Sequence, residues 1–326
     1  MNYRRLGNTG FQVSEIGFGA WAIGDDRWGP QEEEESLNTL HAAIDRGVTF
    51  IDTAAGYGAG KSERLIAKVL KQREERIHVC TKTPPNPGQP WPPSPYCLAE
   101  DRYSEQYIRS NVEERRRNLG VEVLDVLLLH TWTRAWNDRP YPLEVLQKLK
   151  GEGLIRNVGI STPEHDQNSV IDPIRNGLVD VVEVIYNLFE QEPAAQLLPT
   201  AMEHDVGIIV RVVFDEGSLT GKFTAETKFA ASDFRNNYFA GDRLERTIRR
   251  VKEIEKDIEG SGFTLPQAAI KFALAHPAVS TVIPGMRRVW QAEANTAVSD
   301  MPQLPEALLK QLRRHNWRKG FWIRGK

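Results

Sequence analysis

Phe50-Ile51-Asp52-Thr53-Ala54-Ala55-Gly56-Tyr57-Gly58 runs a short apolar strand into an acid and then sets a tyrosine between two glycines. A phenol titrates near 10 and is a weak acid at neutral pH unless a nearby positive charge favours its anion. Such a charge lies one strand–helix unit onward, where Ile77-His78-Val79-Cys80-Thr81 ends in Lys82. In the next unit Val126-Leu127-Leu128-Leu129 ends in His130. At the ends of three parallel neighbours, Asp52, Tyr57, Lys82 and His130 would converge on one small volume. A buried ammonium at Lys82 would acidify Tyr57, and Asp52 would keep that ammonium charged. A neutral His130 would donate a hydrogen bond to a carbonyl and fix its angle. The set reads as a proton donor aimed at a carbonyl oxygen. No side chain supplies a hydride, so a nicotinamide cofactor is implied. Taken singly, an Asp–Lys pair reads as a structural ion pair and a strand-closing histidine as a core residue. The combination at successive strand ends carries the chemical reading.

The same rhythm extends in both directions. A hairpin is expected at the start, with Tyr3 to Leu6, a turn at Gly7 to Gly10, and Phe11 to Val13. Strands are expected over residues 15–19, 50–52, 77–82, 123–130, 155–161, 181–185, 207–213 and 281–283. The fourth of these is almost unbroken apolar sequence, as suits a parallel strand covered on both faces. Helices are expected after the acidic run Glu32 to Glu35 and over 62–70, 104–119, 143–151, 198–204, 241–259, 265–275 and 289–297. A Pro- and Trp-rich insertion, Pro84 to Pro95, excludes regular structure there. Eight strand–helix pairs predict an α/β fold, a (β/α)8 TIM barrel with an N-terminal β-hairpin plug. A doubly wound sheet ranks second, because no GxGxxG follows the first strand. No linker divides the chain, so one domain over 1–326 is expected, with a C-terminal helix and tail over 300–326 near the substrate pocket.

Composition is that of a soluble globular protein: 326 residues, 40% hydrophobic and 26% charged, with a net charge of −2. That balance gives no reason to expect nucleic acid or an anionic membrane as partner. Arg115-Arg116-Arg117 reads as a solvated helix face. No apolar stretch follows Met1 to Arg5, so no secretory signal is expected, and no run approaches a membrane span. Cys80 and Cys97 have no metal-ligand spacing, and Cys80 reads as a buried core thiol. A cytoplasmic protein with reduced thiols is expected, as monomer or small homo-oligomer.

FIDTAAGYGAGKSE, the lysine of VCTKTP, the histidine of VLLLHTW and the run GLIRNVGIST together resemble the aldo-keto reductases. The resemblance extends from RLGNTGFQVSEIGFGAW to VIPGMRRVWQAEAN. It implies a (β/α)8 barrel that reduces aldehydes and ketones with NADPH, NADH being less favoured, without metal or flavin. It implies Tyr57 as general acid, tuned by Lys82 and Asp52, with His130 orienting a small carbonyl substrate. An alternative is an NADPH-binding, redox-sensing accessory subunit with weak turnover. A third reading makes Lys82 a Schiff-base lysine of an aldolase-type barrel.

The resemblance also implies cofactor contacts. Gly19, Ala20, Trp21 and Asp52 are expected near the nicotinamide, with Ser161 on its carboxamide. Thr162 replaces the usual Asn, and Glu183 replaces the usual Gln, which removes a donor. Arg211 stands where many relatives stack a tyrosine, and pairing of Glu183 with Arg211 would let each departure compensate the other. Val212, Phe214, Gly217, Leu219, Gly221 and Lys222 are expected in the loop over the pyrophosphate. Ile283, Gly285 and Arg287 are expected beyond the last strand, where Arg287, ahead of Arg288, suits a 2′-phosphate. Gln291 and Asn295 are expected at the adenine, where Ala294 replaces a frequent Glu. Trp21, Tyr57, Trp91, His130 and Trp132 are expected around the substrate, and Trp317 to Trp322 could cap the barrel.

Overall fold

An antiparallel hairpin of β1 (Tyr3–Arg5) and β2 (Gln12–Ser14) precedes eight strands that pair in parallel, each with the next in the chain. These are β3 (Phe18–Gly19), β4 (Phe50–Asp52), β5 (His78–Thr83), β6 (Leu124–Leu129), β7 (Ile155–Ser161), β8 (Val181–Ile185), β9 (Gly207–Arg211) and β10 (Val279–Val282). Bridges Ile16–Val282 and Gly19–Gly285 join the last strand to the first and curl the sheet into a barrel. The computed structural model describes residues 1–87, 94 and 96–323. Among these, no helix is long and apolar enough to cross a membrane.

Strand alternation builds two separate cores. One face of each strand packs outward on the helices: Ile51, Val79, Leu127, Leu129, Val158, Val182 and Ile208 meet the apolar sides of Glu33–Asp45, Lys61–Leu70, Glu105–Leu119 and their successors. The other face fills the barrel with Phe50, Cys80, Val126, Leu128, Val181 and Ile209. Leu6 and Val13 of the hairpin join this inner cluster, with Phe11 against it, so the hairpin plugs the barrel's lower end. Each fully buried side chain of this size contributes about 1.5–3 kcal/mol.

Most elements fall within two or three residues of expectation, and the differences have physical reasons. The strand expected over 207–213 ends at Arg211, because Val212 turns into the left-handed region with φ 56°. The helix Ile171–Arg175 was not anticipated; its five residues, with Pro173 inside, are too few for a periodic signal. Neither were the four-residue helices Trp21–Gly24, Ala99–Arg102 and Arg235–Tyr238, each a single turn.

Candidate active site

Two residues above the apolar layer, the same inward positions turn charged. Phe50 gives way to Asp52, Cys80 to Lys82, Val181 to Glu183 and Ile209 to Arg211. Lys82 Nζ donates to Asp52 Oδ1 at 2.5 Å, to Oδ2 at 2.7 Å and to the Thr53 carbonyl at 3.0 Å. Glu183 Oε2 lies 3.1 Å from the same ammonium. The other Glu183 oxygen accepts from Ser161 Oγ at 3.1 Å and lies 3.5 Å from Arg211 Nε. Arg211 continues the chain, donating to the Thr162 carbonyl at 2.9 Å and to Glu164 Oε1 at 3.2 Å. The sequence reading expected the Glu183–Arg211 pair; it did not anticipate that Glu183 also faces Lys82.

Burial alone would lower the pKa of Lys82, but the Asp52 and Glu183 carboxylates hold it well above the usual lysine value. Burial and the Glu183 charge push Asp52 up, against the pull of Lys82. Two carboxylates thus share one ammonium.

Tyr57 sits in the turn between β4 and the helix Lys61–Leu70. The turn needs glycine at 58, where φ is +64° and an added Cβ would lie 1.7 Å from the Gly24 carbonyl oxygen. Lys82 Nζ lies 5.3 Å from the Tyr57 ring centroid. The Tyr57 and His130 rings meet edge-on with centroids 6.1 Å apart. Burial pushes the phenol above its ordinary value; Lys82 pulls it down, and Asp52 and Glu183 push it up again. The expectation of a phenol with a lowered pKa is therefore corrected: burial and the carboxylates outweigh the ammonium. His130 is held well below the usual imidazole value by burial and by the charges of Lys82, Arg211 and Arg27, so it is neutral at pH 7.

These groups open into a cavity of about 720 Å³ on the face reached by the C-terminal ends of the strands. One end holds Asp52, Tyr57, His130, Glu183 and Arg211; the other reaches Gln291 and Asn295 on the helix Val289–Ala297. Gly19, Trp21, Val212, Phe214, Gly217, Lys222, Ile283, Gly285 and Arg287 also line it. Trp21 stacks on Tyr57 at 5.9 Å and on Phe234 at 5.0 Å, and Trp322 of the tail stacks on Phe234 at 5.6 Å. Buried polar atoms without partners border this space, among them Trp21 Nε1, Trp28 Nε1 and Glu216 Oε1. A long cavity with an aromatic end and such donors and acceptors fits a nicotinamide dinucleotide.

Several expected contacts lie elsewhere. Trp132 is fully buried, packs edge-on against Trp136 and donates to Asn137, and it does not line the cavity. The chain leaves strand alternation after Leu129, so counting two from His130 does not return a side chain to the inner face. Ala20, Ser161, Thr162, Leu219 and Gly221 are likewise absent from the wall; Ser161 stands behind Glu183, and Thr162 Oγ1 donates to Gln167. Trp91 lies outside the described residues. Arg287 lines the cavity, yet its guanidinium donates to the carbonyls of Trp28, Gly29 and Pro30 and to Gln31 Oε1, at 2.5–3.1 Å. Sequence reasoning missed Arg27, Glu164, Glu216, Phe234 and Trp290. Glu216 and Trp290, each inside a segment already singled out, left a readable signal.

Known proteins share this fold across nearly the whole chain. The sequence profile described as "Aldo/keto reductase family" matches residues 15–316. Aldo-keto reductase YhdN of Bacillus subtilis (strain 168) is 29% identical over 308 residues, covering 92% of this chain and 89% of that protein. The NADH-specific methylglyoxal reductase of Escherichia coli (strain K12) is 25% identical over 309 residues, with 90% and 91% covered. The solved structure of glycerol dehydrogenase AKR11B4 from Gluconobacter oxydans superposes with a TM-score of 0.78 at 26% identity, covering 99% of this chain and 95% of that one. A barrel with these strand-end residues and a match across nearly its whole length belongs to the aldo/keto reductase family.

Proposed function

We propose that this chain reduces aldehydes or ketones to alcohols with NADPH, with Tyr57 as the general acid. The observation that carries the reading is the Lys82 ammonium 5.3 Å from the Tyr57 ring centroid, with Tyr57 and His130 in the wall of one cavity. When bound, the cofactor supplies the hydride that reduces the carbonyl carbon. Tyr57 holds the proton destined for the carbonyl oxygen. A pKa above the ordinary phenol value keeps that proton in place at neutral pH, and a developing alkoxide is a stronger base than phenolate. Lys82 stabilises the phenolate left behind, and Asp52 keeps Lys82 charged and aimed. Neutral His130 donates to the carbonyl oxygen and sets its angle. Trp21, stacked on Tyr57, gives that end of the cavity one apolar wall. The Schiff-base reading loses support, because Lys82 is held as an ammonium by two carboxylates and a carbonyl.

The preference for NADPH rests on the cations around the far end of the cavity. Lys222 lies over Trp290 there, with its ammonium 4.4 Å from the ring centroid. Arg287 is committed to backbone carbonyls, so Arg288 is the better candidate for a 2′-phosphate. It pairs with Glu35 at 3.0 Å across an exposed contact, and such pairs open at little cost. Fluorescence titration with NADPH and NADH, followed by a panel of aldehydes and ketones, tests the reading. Tighter NADPH binding and carbonyl-dependent cofactor oxidation are expected. Equal affinities would overturn the NADPH preference. Tight binding without turnover across the panel would favour the redox-sensing accessory subunit instead.

A further inference from the structure

Glu216 is 4% exposed and belongs to the cavity wall, yet among the described residues its side chain makes no hydrogen bond or ion pair. Burying a carboxyl without a partner is costly, so its persistence asks for a ligand or a proton. The charged groups around it are already engaged. Asp215, its neighbour in the chain, pairs with Lys319 of the C-terminal tail and accepts from Ser218 Oγ at 2.6 Å and Tyr238 Oη at 3.2 Å. Arg211 of β9 faces Glu183 and Glu164. Arg235 is bound by Asp233 at 2.6 Å. Glu216 is the acid left over.

The backbone holds it there at some cost. Val212, Asp215 and Glu216 have φ of 56°, 47° and 55°, a left-handed region that residues other than glycine rarely occupy. The strained loop is clamped from behind by Asn187 Nδ2, which donates to the Val212 carbonyl at 2.8 Å, and by the Asp215–Lys319 pair. The segment runs from Arg211 at one end of the cavity to Lys222, which lies over Trp290 of the helix at the other end. A dinucleotide with its reactive ring beside Tyr57 and its purine at the helix Val289–Ala297 has to carry its diphosphate past this loop.

We propose that Glu216 binds the diphosphate of the cofactor as a protonated carboxylic acid, donating a hydrogen bond to a phosphate oxygen. The inference rests on the dinucleotide reading above and adds to it a residue and a pH response. An ionised carboxylate beside a diphosphate would repel it, whereas the acid form supplies a donor. Burial first, and then the Asp215 charge, push Glu216 up to about 8, against the weaker pulls of Arg211, Lys319 and Arg235. Cofactor affinity therefore falls as pH rises through the top of the physiological range.

The test is the Kd of NADH and of NADPH by fluorescence between pH 7 and pH 9, about one unit either side of that value, in wild type, Glu216→Gln and Glu216→Gly. The 2′-phosphate of NADPH titrates near 6, below this window. Tyr57 and Lys82 titrate above it and His130 below it. Glu190, pushed up to about 7 by burial, is common to all three proteins. In wild type Kd is expected to rise about tenfold across the window. The Gln variant, a permanent donor, should bind at pH 7 as wild type does and stay nearly flat. The Gly variant, which relieves the left-handed φ and so should fold, should bind weakly and without the pH step. The same pH response in all three proteins would overturn this inference alone. Absence of binding at any pH would overturn the dinucleotide reading and the inference with it.

Discussion

Lys82→Met removes the ammonium while keeping an unbranched side chain of similar length. At 5.3 Å from the Tyr57 ring centroid, Coulomb's law with an effective dielectric constant of about 20 gives about 3 kcal/mol of phenolate stabilisation. That corresponds to about 2 pK units of phenol acidity. If the transition state has transferred most of the proton, the chemical step should slow by about 10²-fold. The substitution also leaves Asp52 and Glu183 buried without their shared cation, and breaking a buried pair costs about 3–5 kcal/mol of stability. The two effects separate in the assay. Single-turnover carbonyl reduction by enzyme preloaded with NADPH reads the first, and a thermal melt reads the second. Lys82→Arg keeps the charge, so it should retain most of the stability and part of the rate. Adding Glu183→Gln to Lys82→Met should recover stability without recovering rate. A folded Lys82→Met enzyme with the wild-type single-turnover rate would refute the electrostatic argument.

Arg211→Ala leaves Glu164 and Glu183 without their guanidinium. It should weaken cofactor binding by about tenfold, roughly 1.4 kcal/mol, in a titration; unchanged Kd would assign the arginine a purely structural role. Gly58→Ala forces a Cβ to within 1.7 Å of the Gly24 carbonyl oxygen at a φ of +64°. It should displace the Tyr57 turn, lowering both melting temperature and kcat, and a wild-type melt would show the turn to be forgiving. Glu216 has a folded-state pKa of about 8 against an ordinary value of 4.5, so its contribution to stability is complete below about 4.5 and is lost as pH rises through about 8. Melts of Glu216→Gln should gain on wild type from pH 5 to about pH 8 and level off above it; a constant gap would contradict the raised carboxyl.

The barrel was legible because its strands alternate between two cores and its helices follow at regular intervals. Inward positions could be counted from Phe50 to Asp52 and from Cys80 to Lys82, and those counts hold within the strands. They fail where the chain leaves a strand. Trp132 follows His130 by an even number, yet it turns outward to Trp136. Arg287 was read as a free guanidinium because its partners are main-chain carbonyls of residues 28–30, which no side-chain pattern announces. Glu183 was read as a substitute for an amide, while its contact with Lys82 depends on two strands separated by β6 and β7 facing each other across the barrel. Pairs along one strand or between consecutive strand ends can be read from sequence; contacts across the barrel need its curvature.

The most direct measurement compares wild type with Tyr57→Phe, which keeps the ring stacked on Trp21 and deletes only the hydroxyl. Single-turnover reduction of a good aldehyde by the NADPH-loaded protein should fall by about 10²–10⁴-fold, with cofactor Kd unchanged. A Tyr57→Phe protein that reduces the aldehyde at the wild-type rate would show that another group delivers the proton.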